Sequence, residues 1–152
     1  LRAGVNPLLT GMQRRLLFPG LVTAANGRDR QRGSLPHQRL VKFVLRHVER
    51  GTRWALFAPF EPSVWTRVEK QVGDFLSSLA EQDAFEIDQG QPGWLVRCDA
   101  QTQLAAGHGM RLLLAFRPKG ARQPLMYAIA QQQSGTTATR TAFAVSDHDS
   151  TP

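Results

Sequence analysis

The chain has a single cysteine, no long apolar run and fewer acidic than basic residues. Because Cys98 has no intrachain partner, no disulfide framework can support the fold. No apolar run approaches the roughly 20 residues of a membrane helix, and residues 1–4 lack the apolar centre of a signal peptide. These absences predict a soluble protein with no membrane partner. The first residue is Leu1 rather than Met, so we interpret the sequence as a fragment or a processed product of something longer.

The length and the charge suggest one domain with an acidic partner. The chain has 152 residues, of which 41% are hydrophobic, a size typical of one domain with one core. It carries 19 Lys and Arg against 12 Asp and Glu, for a formal net charge of +7. Such a surface favours nucleic acid, an anionic membrane or an acidic protein surface.

Two amphipathic helices are predicted in the central part of the chain. Apolar residues at helical spacing predict the first over His37–Arg50, opened by Pro36 and closed by a left-handed Gly51. The second is predicted from Pro62 to about Glu81 on the same criterion. Its apolar stripe consists of Trp65, Val68, Val72, Phe75, Leu76 and Leu79.

Short apolar runs between turn residues predict the strands. The N-terminus is rich in Gly and Pro and allows only short strands, including Leu16–Phe18 and Leu21–Val22. The polar tail from Gln131 is expected to be flexible unless a neighbour orders it. The fold class is therefore α+β, with a mixed β-sheet layered by two amphipathic helices and extended N- and C-terminal arms. Residues 1–36 are an N-terminal segment or arm, 37–131 the α+β domain, and 132–152 a C-terminal arm or tail. The main strands are predicted at Thr52–Ala58, Trp94–Cys98, Met110–Phe116 and Leu125–Ala130.

No constellation of catalytic or metal-binding residues assembles in the sequence. Cys98 has no evident base among His37, His47 and His108, and we expect it to be a buried strand cysteine. The histidines lack metal-ligand spacing, and the Gly-rich turn at 107–109 lacks the Lys and Ser or Thr of a phosphate loop. We therefore predict that the chain is not an enzyme and that it holds no cofactor and no metal.

Several segments between residues 3 and 131 occur in a distinctive order. They are Ala3–Pro7, Pro19–Val22, Arg39–Leu40, Gly51–Pro59, Trp65, Val68, Val72, Phe75–Leu76, Val96–Asp99, Thr102 and Pro124–Gln131. Their order and spacing resemble the C-terminal domain of the sheath proteins of contractile phage tails, pyocins, type VI secretion systems and extracellular contractile injection systems. The sequence departs from the family pattern at Ala58, where an acidic residue is common, at Gln82–Ala84, which replaces a glycine turn, and in its final strand at Leu125–Ala128.

The resemblance implies a structural role. Sheath subunits polymerise helically around an inner tube and contract to drive that tube through a target envelope. The implied partners are further copies of the chain, the inner tube protein, and baseplate and terminator proteins. The implied location is a virion tail or contractile injection particle that is assembled in a bacterial cytoplasm.

Terminal arms in this family add strands to the sheets of neighbouring subunits, which is β-augmentation. The corresponding segments here are Leu1–Leu9 and Thr139–Val145, and a disordered tail is the alternative for the second. The candidate residues for contacts between subunits are Val5, Leu8, Leu9, Phe143 and Val145.

Basic side chains on the predicted helices are candidates for contact with the tube. Arg39, Lys42, Arg46 and Arg50 form a row on the first helix, and Arg67 and Lys70 are a rival pair on the second. A solvated basic face is the alternative. The competing function is a basic nucleic-acid-binding module, in which tryptophans would offer stacking surfaces. Because Trp54 and Trp65 fall on the apolar pattern, we expect them in the core and expect no direct nucleic-acid contact.

Overall fold

The computed structural model describes residues 9–10, 16–17, 34–88, 90–103 and 109–141. Within them the α+β class is confirmed. The elements, in chain order, are β1 (Leu9–Thr10), β2 (Leu16–Leu17), α1 (Leu35–Thr52), a 3-10 helix (Arg53–Phe57), α2 (Pro62–Glu81), β3 (Ile87–Asp88), β4 (Gln91–Pro92), β5 (Trp94–Arg97), α3 (Ala100–Gln103), β6 (Met110–Phe116), β7 (Leu125–Gln132) and β8 (Gly135–Thr141).

Both long helices form where the apolar spacing predicts them. Pro lies in the first turn of each, where its missing N–H costs no hydrogen bond. The predicted bounds of α2 are confirmed, whereas α1 is longer than predicted. Gly51 does not close α1, because the helix continues through it to Thr52 and the Gly51 carbonyl accepts a hydrogen bond from Gln71 Nε2 at 2.9 Å.

The predicted strand over Thr52–Ala58 is wrong, because this segment continues the helical path. Thr52 ends α1 and donates from Oγ1 to the Val48 carbonyl at 2.7 Å, and Arg53–Phe57 then coils as the 3-10 helix. The buried residues Thr52 and Ala55 lie three positions apart, which is the period of a 3-10 helix rather than of a strand. The apolar residues correctly indicate that the segment is partly buried, but their spacing is that of a 3-10 helix and not of a strand.

The main sheet has four strands in the order β5-β6-β7-β8. All its pairs are antiparallel, where the sequence predicted a mixed sheet, because each strand pairs with the one that follows it in the chain. The strand predictions for β5 to β7 are confirmed, with β7 extending to Gln132. The prediction of a flexible tail is wrong through Thr141, since β8 pairs along its whole length with β7.

The two long helices lie side by side on one face of this sheet. The path of α1 follows that of β7: His37 Nε2 lies 2.8 Å from the Lys119 carbonyl, and Gln131 Nε2 donates to the Glu49 carbonyl at 2.9 Å. The neighbouring α2 crosses β5, where the Glu69 carboxylate accepts the backbone N–H of Cys98 at 2.8 Å. The core fills the space between the helices and the sheet. It includes Val44, Val48, Val68, Leu76, Leu112, Leu114, Phe116 and Ile129, each of which is at most 2% exposed.

Candidate functional site

The basic side chains predicted on the two helices form one surface. Arg39, Lys42, Arg46 and Arg50 are exposed on the side of α1 that faces away from its buried stripe, and Arg67 and Lys70 are exposed on α2. Because both helices cover the same face of the sheet, the two groups are not rivals for opposite sides of the domain. We call these residues, together with Phe43 between them, the cationic helix surface.

Arg67 is held at the junction of the helices. Its guanidinium carbon lies 4.5 Å from the centre of the Trp54 ring. The indole Nε1 donates to Gln71 Oε1 at 2.9 Å, and the Gln71 amide in turn donates to the Gly51 carbonyl. A cation over an indole ring at an exposed site stabilises by roughly 0.5–1 kcal/mol. This chain of contacts fixes one cation of the surface relative to both helices.

An aromatic group lies in the middle of the cationic helix surface. The rings of Phe43 and His47 are 4.0 Å apart between centroids, and His47 stacks on Phe75 at 5.8 Å. Phe43 is 44% exposed, and a small groove of about 160 Å³ follows between His47, Gly51 and Phe75. The surface therefore combines positive charge at its margins with an apolar centre, which is the usual composition of a protein contact site.

The outer edge of β8 is the second candidate site. One edge of the strand pairs with β7, and among the described residues no strand pairs with the other. Most β8 side chains are exposed on both faces of the sheet, so no layer of the described domain covers the strand. An edge of this kind presents backbone N–H and C=O groups in a row, which is what an added strand requires.

The predicted arm residues fall mostly outside the described residues. Val5, Leu8, Phe143 and Val145 all lie outside them, and only the backbone of Leu9 is described, in β1. The segment predicted as a C-terminal arm begins inside β8, because Thr139–Thr141 are paired with β7. Its first residues therefore belong to the domain's own sheet.

Two exposed phenylalanines were not predicted as site residues. Phe57, the last residue of the 3-10 helix, is 82% exposed, and Phe60, three residues further on, is 59% exposed. The strand predicted over Thr52–Ala58 would bury Phe57. A period of three counted from Thr52 and Ala55 would have placed it outside the core.

The geometry around Cys98 does not favour nucleophilic chemistry. Burial, followed by the nearby carboxylates of Glu69 and Asp99, raises the pKa of the thiol to about 12. At neutral pH the group is therefore a protonated thiol, which is a poor nucleophile. Its sulfur lies 3.7 Å from the Arg111 carbonyl, while the ring nitrogens of His37 and His47 contact backbone carbonyls elsewhere. Within the described ranges, no group of three or more His, Cys, Asp or Glu is placed to hold a metal ion.

The tryptophans make contacts within the domain. Arg67 covers the Trp54 ring, the edge of Trp65 meets Phe60 at 5.1 Å, and Trp94 lies against Gly73 of α2. Trp54 and Trp65 are partly buried and pack against the core, close to what their spacing predicts.

In the part of the chain that the structure describes, no helix is both long enough and apolar enough to span a membrane. Comparison of the chain with protein-family models, with curated proteins and with solved structures finds no match.

Proposed function

We propose that this chain is a structural subunit of a contractile sheath, which polymerises helically around an inner tube and contracts to drive that tube through a target envelope. The proposal combines the family resemblance of residues 3–131 with one structural observation. That observation is the outer edge of β8, one of the two edge strands of the main sheet, with which no strand pairs among the described residues. A lattice that stays connected while its subunits move needs such an edge, because added strands link neighbours through backbone hydrogen bonds.

The composition of β8 favours strand addition. Proteins that must stay monomeric block their edge strands with Pro, Lys, bulges or covering elements. The sequence of Gly135–Thr141 contains neither Pro nor Lys, has Arg140 as its one charged residue, and is rich in Thr, which has a high strand propensity. A terminal arm of a neighbouring copy is the partner that we propose for this edge.

The cationic helix surface fits an acidic protein wall, and the inner tube is the partner that we propose for it. Attraction between exposed charges extends only about 8–10 Å at ordinary ionic strength. A contact of this kind holds the domain near the tube in the extended state and is released when the subunits move outward. Baseplate and terminator proteins would contact the ends of the same lattice in a virion tail or injection particle.

Negative-stain microscopy of the full-length product tests this proposal. Hollow, cross-striated cylinders are the expected result, and a product that remains monomeric would contradict it. The double variant Thr137→Lys/Thr139→Lys places charges on the open edge and is expected to prevent assembly while leaving the melting temperature nearly unchanged. The matched control is Ser77→Lys/Gln82→Lys, which adds the same charge at exposed positions in α2 and just after it. Equal assembly by both variants would refute the role of β8.

The positive charge of the helices also suits nucleic-acid phosphates, so the same product is tested against labelled duplex DNA. Phosphate binding shows affinity that falls steeply, by about a thousandfold or more, between 50 and 200 mM salt when roughly six contacts form. Weak binding without that steep dependence is the result expected of a sheath subunit. Tight, steeply salt-dependent binding would replace the sheath proposal with the nucleic-acid one.

A further inference from the structure

The main sheet has a second face, turned away from the two long helices. Successive residues of a strand alternate between the faces, and directly opposite residues of antiparallel strands share one. Leu112 and Leu114 of β6 and Ile129 of β7 belong to the core under the helices, so their neighbours along each strand face the other way. We call this second face the outer face. Its apolar side chains, none of which belongs to the core, are Leu95, Leu113, Ala115, Met126, Ala128 and Ala130.

The two central strands have the composition of strands that are covered on both faces. An antiparallel strand with one face in water alternates apolar and polar residues, whereas a strand buried on both faces is a nearly continuous apolar run. β6 reads MRLLLAF, and β7 begins LMYAIA. Neither alternates, and two residues of the outer face, Ala115 and Ala128, are only 6% and 5% exposed. The sequences of both strands therefore indicate a second covering layer.

The outer face has a shape that can receive apolar side chains from such a layer. In the register Ala115 lies between Leu95 and Met126, and Ala128 lies beside Leu113. Leu95 is exposed, and Leu113 and Met126 are half-buried. The two alanines therefore form low points between longer side chains, where a large apolar side chain can pack.

The charge of the outer face favours an acidic cover. A trough of about 260 Å³ follows Ala128 and Ala130, with Arg111 on one side and threonines of β8 on the other, and no carboxylate lines it. Among the described residues the hydrogen bonds of Arg111 all involve its backbone, so its guanidinium is left for a partner outside them. Arg97 is the other cation of this face, and it contacts Asp99.

Two segments that lie largely outside the described residues are long enough to supply this layer. Residues 1–33 are rich in arginine and have Asp29 as their one acidic residue, so a basic outer face would repel them. Residues 142–152 carry Asp147 and Asp149 and have neither Lys nor Arg. The C-terminal segment is therefore the one whose charge matches the outer face.

This segment leaves β8 beside the outer face. Thr141, the last residue of β8, pairs with Met126, and its Oγ1 is buried with no hydrogen-bond partner among the described residues. Crossing from β8 to β5 takes three strand spacings of about 4.8 Å, and rising to a covering layer adds about 10 Å, so roughly seven extended residues are enough. Phe143 and Val145 lie two positions apart, so both face the same way in an extended chain and can reach the central strands.

We propose that the C-terminal segment, residues 142–152, folds back over the outer face of its own sheet, with Phe143 and Val145 against the alanine low points and its carboxylates at Arg111. A tethered segment meets its site at an effective concentration of about millimolar, so it outcompetes the same segment of a second copy. The inference does not depend on the sheath function. It assigns Phe143 and Val145 to their own domain and leaves the N-terminal segment as the arm that adds to β8 of a neighbouring copy.

A reporter cysteine measures whether the outer face is covered. Met126→Cys places a thiol there, and its reaction with N-ethylmaleimide, a neutral reagent, is expected to be about tenfold faster when Phe143→Ser/Val145→Ser is added to the chain. The buried Cys98 reports global unfolding and should stay unreactive in both chains. A matched reporter at the end of the 3-10 helix, Phe57→Cys, should react at the same rate with and without the two serines.

A disulfide distinguishes the chain's own segment from that of a second copy. Under mild oxidation Met126→Cys/Val145→Cys is expected to form an intrachain bridge, which non-reducing electrophoresis shows as a faster monomer band. The control pair Ser77→Cys/Val145→Cys has its first thiol on α2, on the opposite side of the sheet, and should not close. A dimer band from the first pair would assign the cover to another copy and overturn the proposal.

The carboxylates are tested with the same reporter. Asp147→Asn/Asp149→Asn is expected to raise the reaction rate at Met126→Cys about threefold in about 50 mM salt and to have no effect in about 1 M salt, where exposed charges are screened. A rate that Phe143→Ser/Val145→Ser leaves within about twofold would overturn the proposal. Acceleration by Leu8→Ser/Leu9→Ser instead would also overturn it, because the N-terminal segment would then be the cover.

Discussion

Replacing Gln103 with Leu tests whether a side-chain amide completes the sheet. In the register of β5 and β6, Arg97 pairs with Leu113, so the next partner of β6 at Arg111 would be Asp99. At this point the chain forms α3 instead of continuing β5. The Gln103 side chain occupies the position of the missing strand partner of Arg111. Its Oε1 accepts the Arg111 N–H at 2.9 Å, and its Nε2 donates to the Arg111 carbonyl at 2.5 Å.

The expected loss of stability follows from two backbone groups of Arg111: the substitution leaves its N–H without a partner, and its carbonyl keeps only the weak thiol donor of Cys98. Gln103 is 6% exposed and Arg111 is half-buried, so water can replace these bonds only in part. Each unsatisfied buried group costs about 1–3 kcal/mol, and we expect Gln103→Leu to lower the free energy of unfolding by about 2–4 kcal/mol. Urea unfolding with linear extrapolation measures it.

Gln101→Leu is the matched control in the same short helix. Gln101 is exposed, and its amide oxygen accepts one hydrogen bond from the Arg97 side chain at 2.7 Å. A surface change of this kind alters stability by about 0.5 kcal/mol or less. If both variants stay within that range of the wild type, the amide of Gln103 does not act as a missing strand partner, and the reasoning is refuted.

Three further outcomes are expected. Gly93→Ala should lower stability by about 1–3 kcal/mol in the same urea assay, since a Cβ there would collide with the Glu86 carbonyl oxygen; a neutral effect would contradict this close approach. Cys98 should react with a thiol reagent at pH 8 far more slowly in the folded chain than in the urea-unfolded chain, because it is buried and its pKa is raised to about 12. Since the unfolded thiol ionises near pH 9 while the folded one stays protonated, stability should fall as pH rises from about 9 to 12, and Cys98→Ala should reduce that slope.

The helices could be predicted from the sequence because their stability depends on an apolar stripe that the sequence displays. Val41, Val44 and Val48 repeat at helical spacing, and all are buried as expected. β8 could not be predicted in this way, because its exposed Thr-rich residues show no apolar face and the strand is held by backbone bonds to β7. The predicted flexible tail was an inference from polarity, which says nothing about backbone pairing.

Some residues of the candidate sites could likewise be predicted from the sequence, and others could not. Exposure of Arg39, Lys42 and Arg46 follows from their positions opposite the buried stripe, so helical spacing alone could predict it. The cavity between Phe57 and Gln132 could not be predicted, since it depends on the β7–β8 turn lying beside the 3-10 helix, an approach between residues distant in sequence. The role of Gln103 could not be predicted either, because only the register of β6 shows that its side-chain amide takes the place of a strand partner.

The docking of α1 on the sheet also bears on how the protein is made. The contacts of His37 with Lys119 and of Gln131 with Glu49 each join residues 82 positions apart. At a translation rate of about 5–20 residues per second, roughly 4–16 s pass between synthesis of the helix and that of the strand beneath it. Throughout that interval the part of α1 that lies along β7 is uncovered, so we expect the nascent chain to expose apolar side chains of α1 that chaperones can bind during translation.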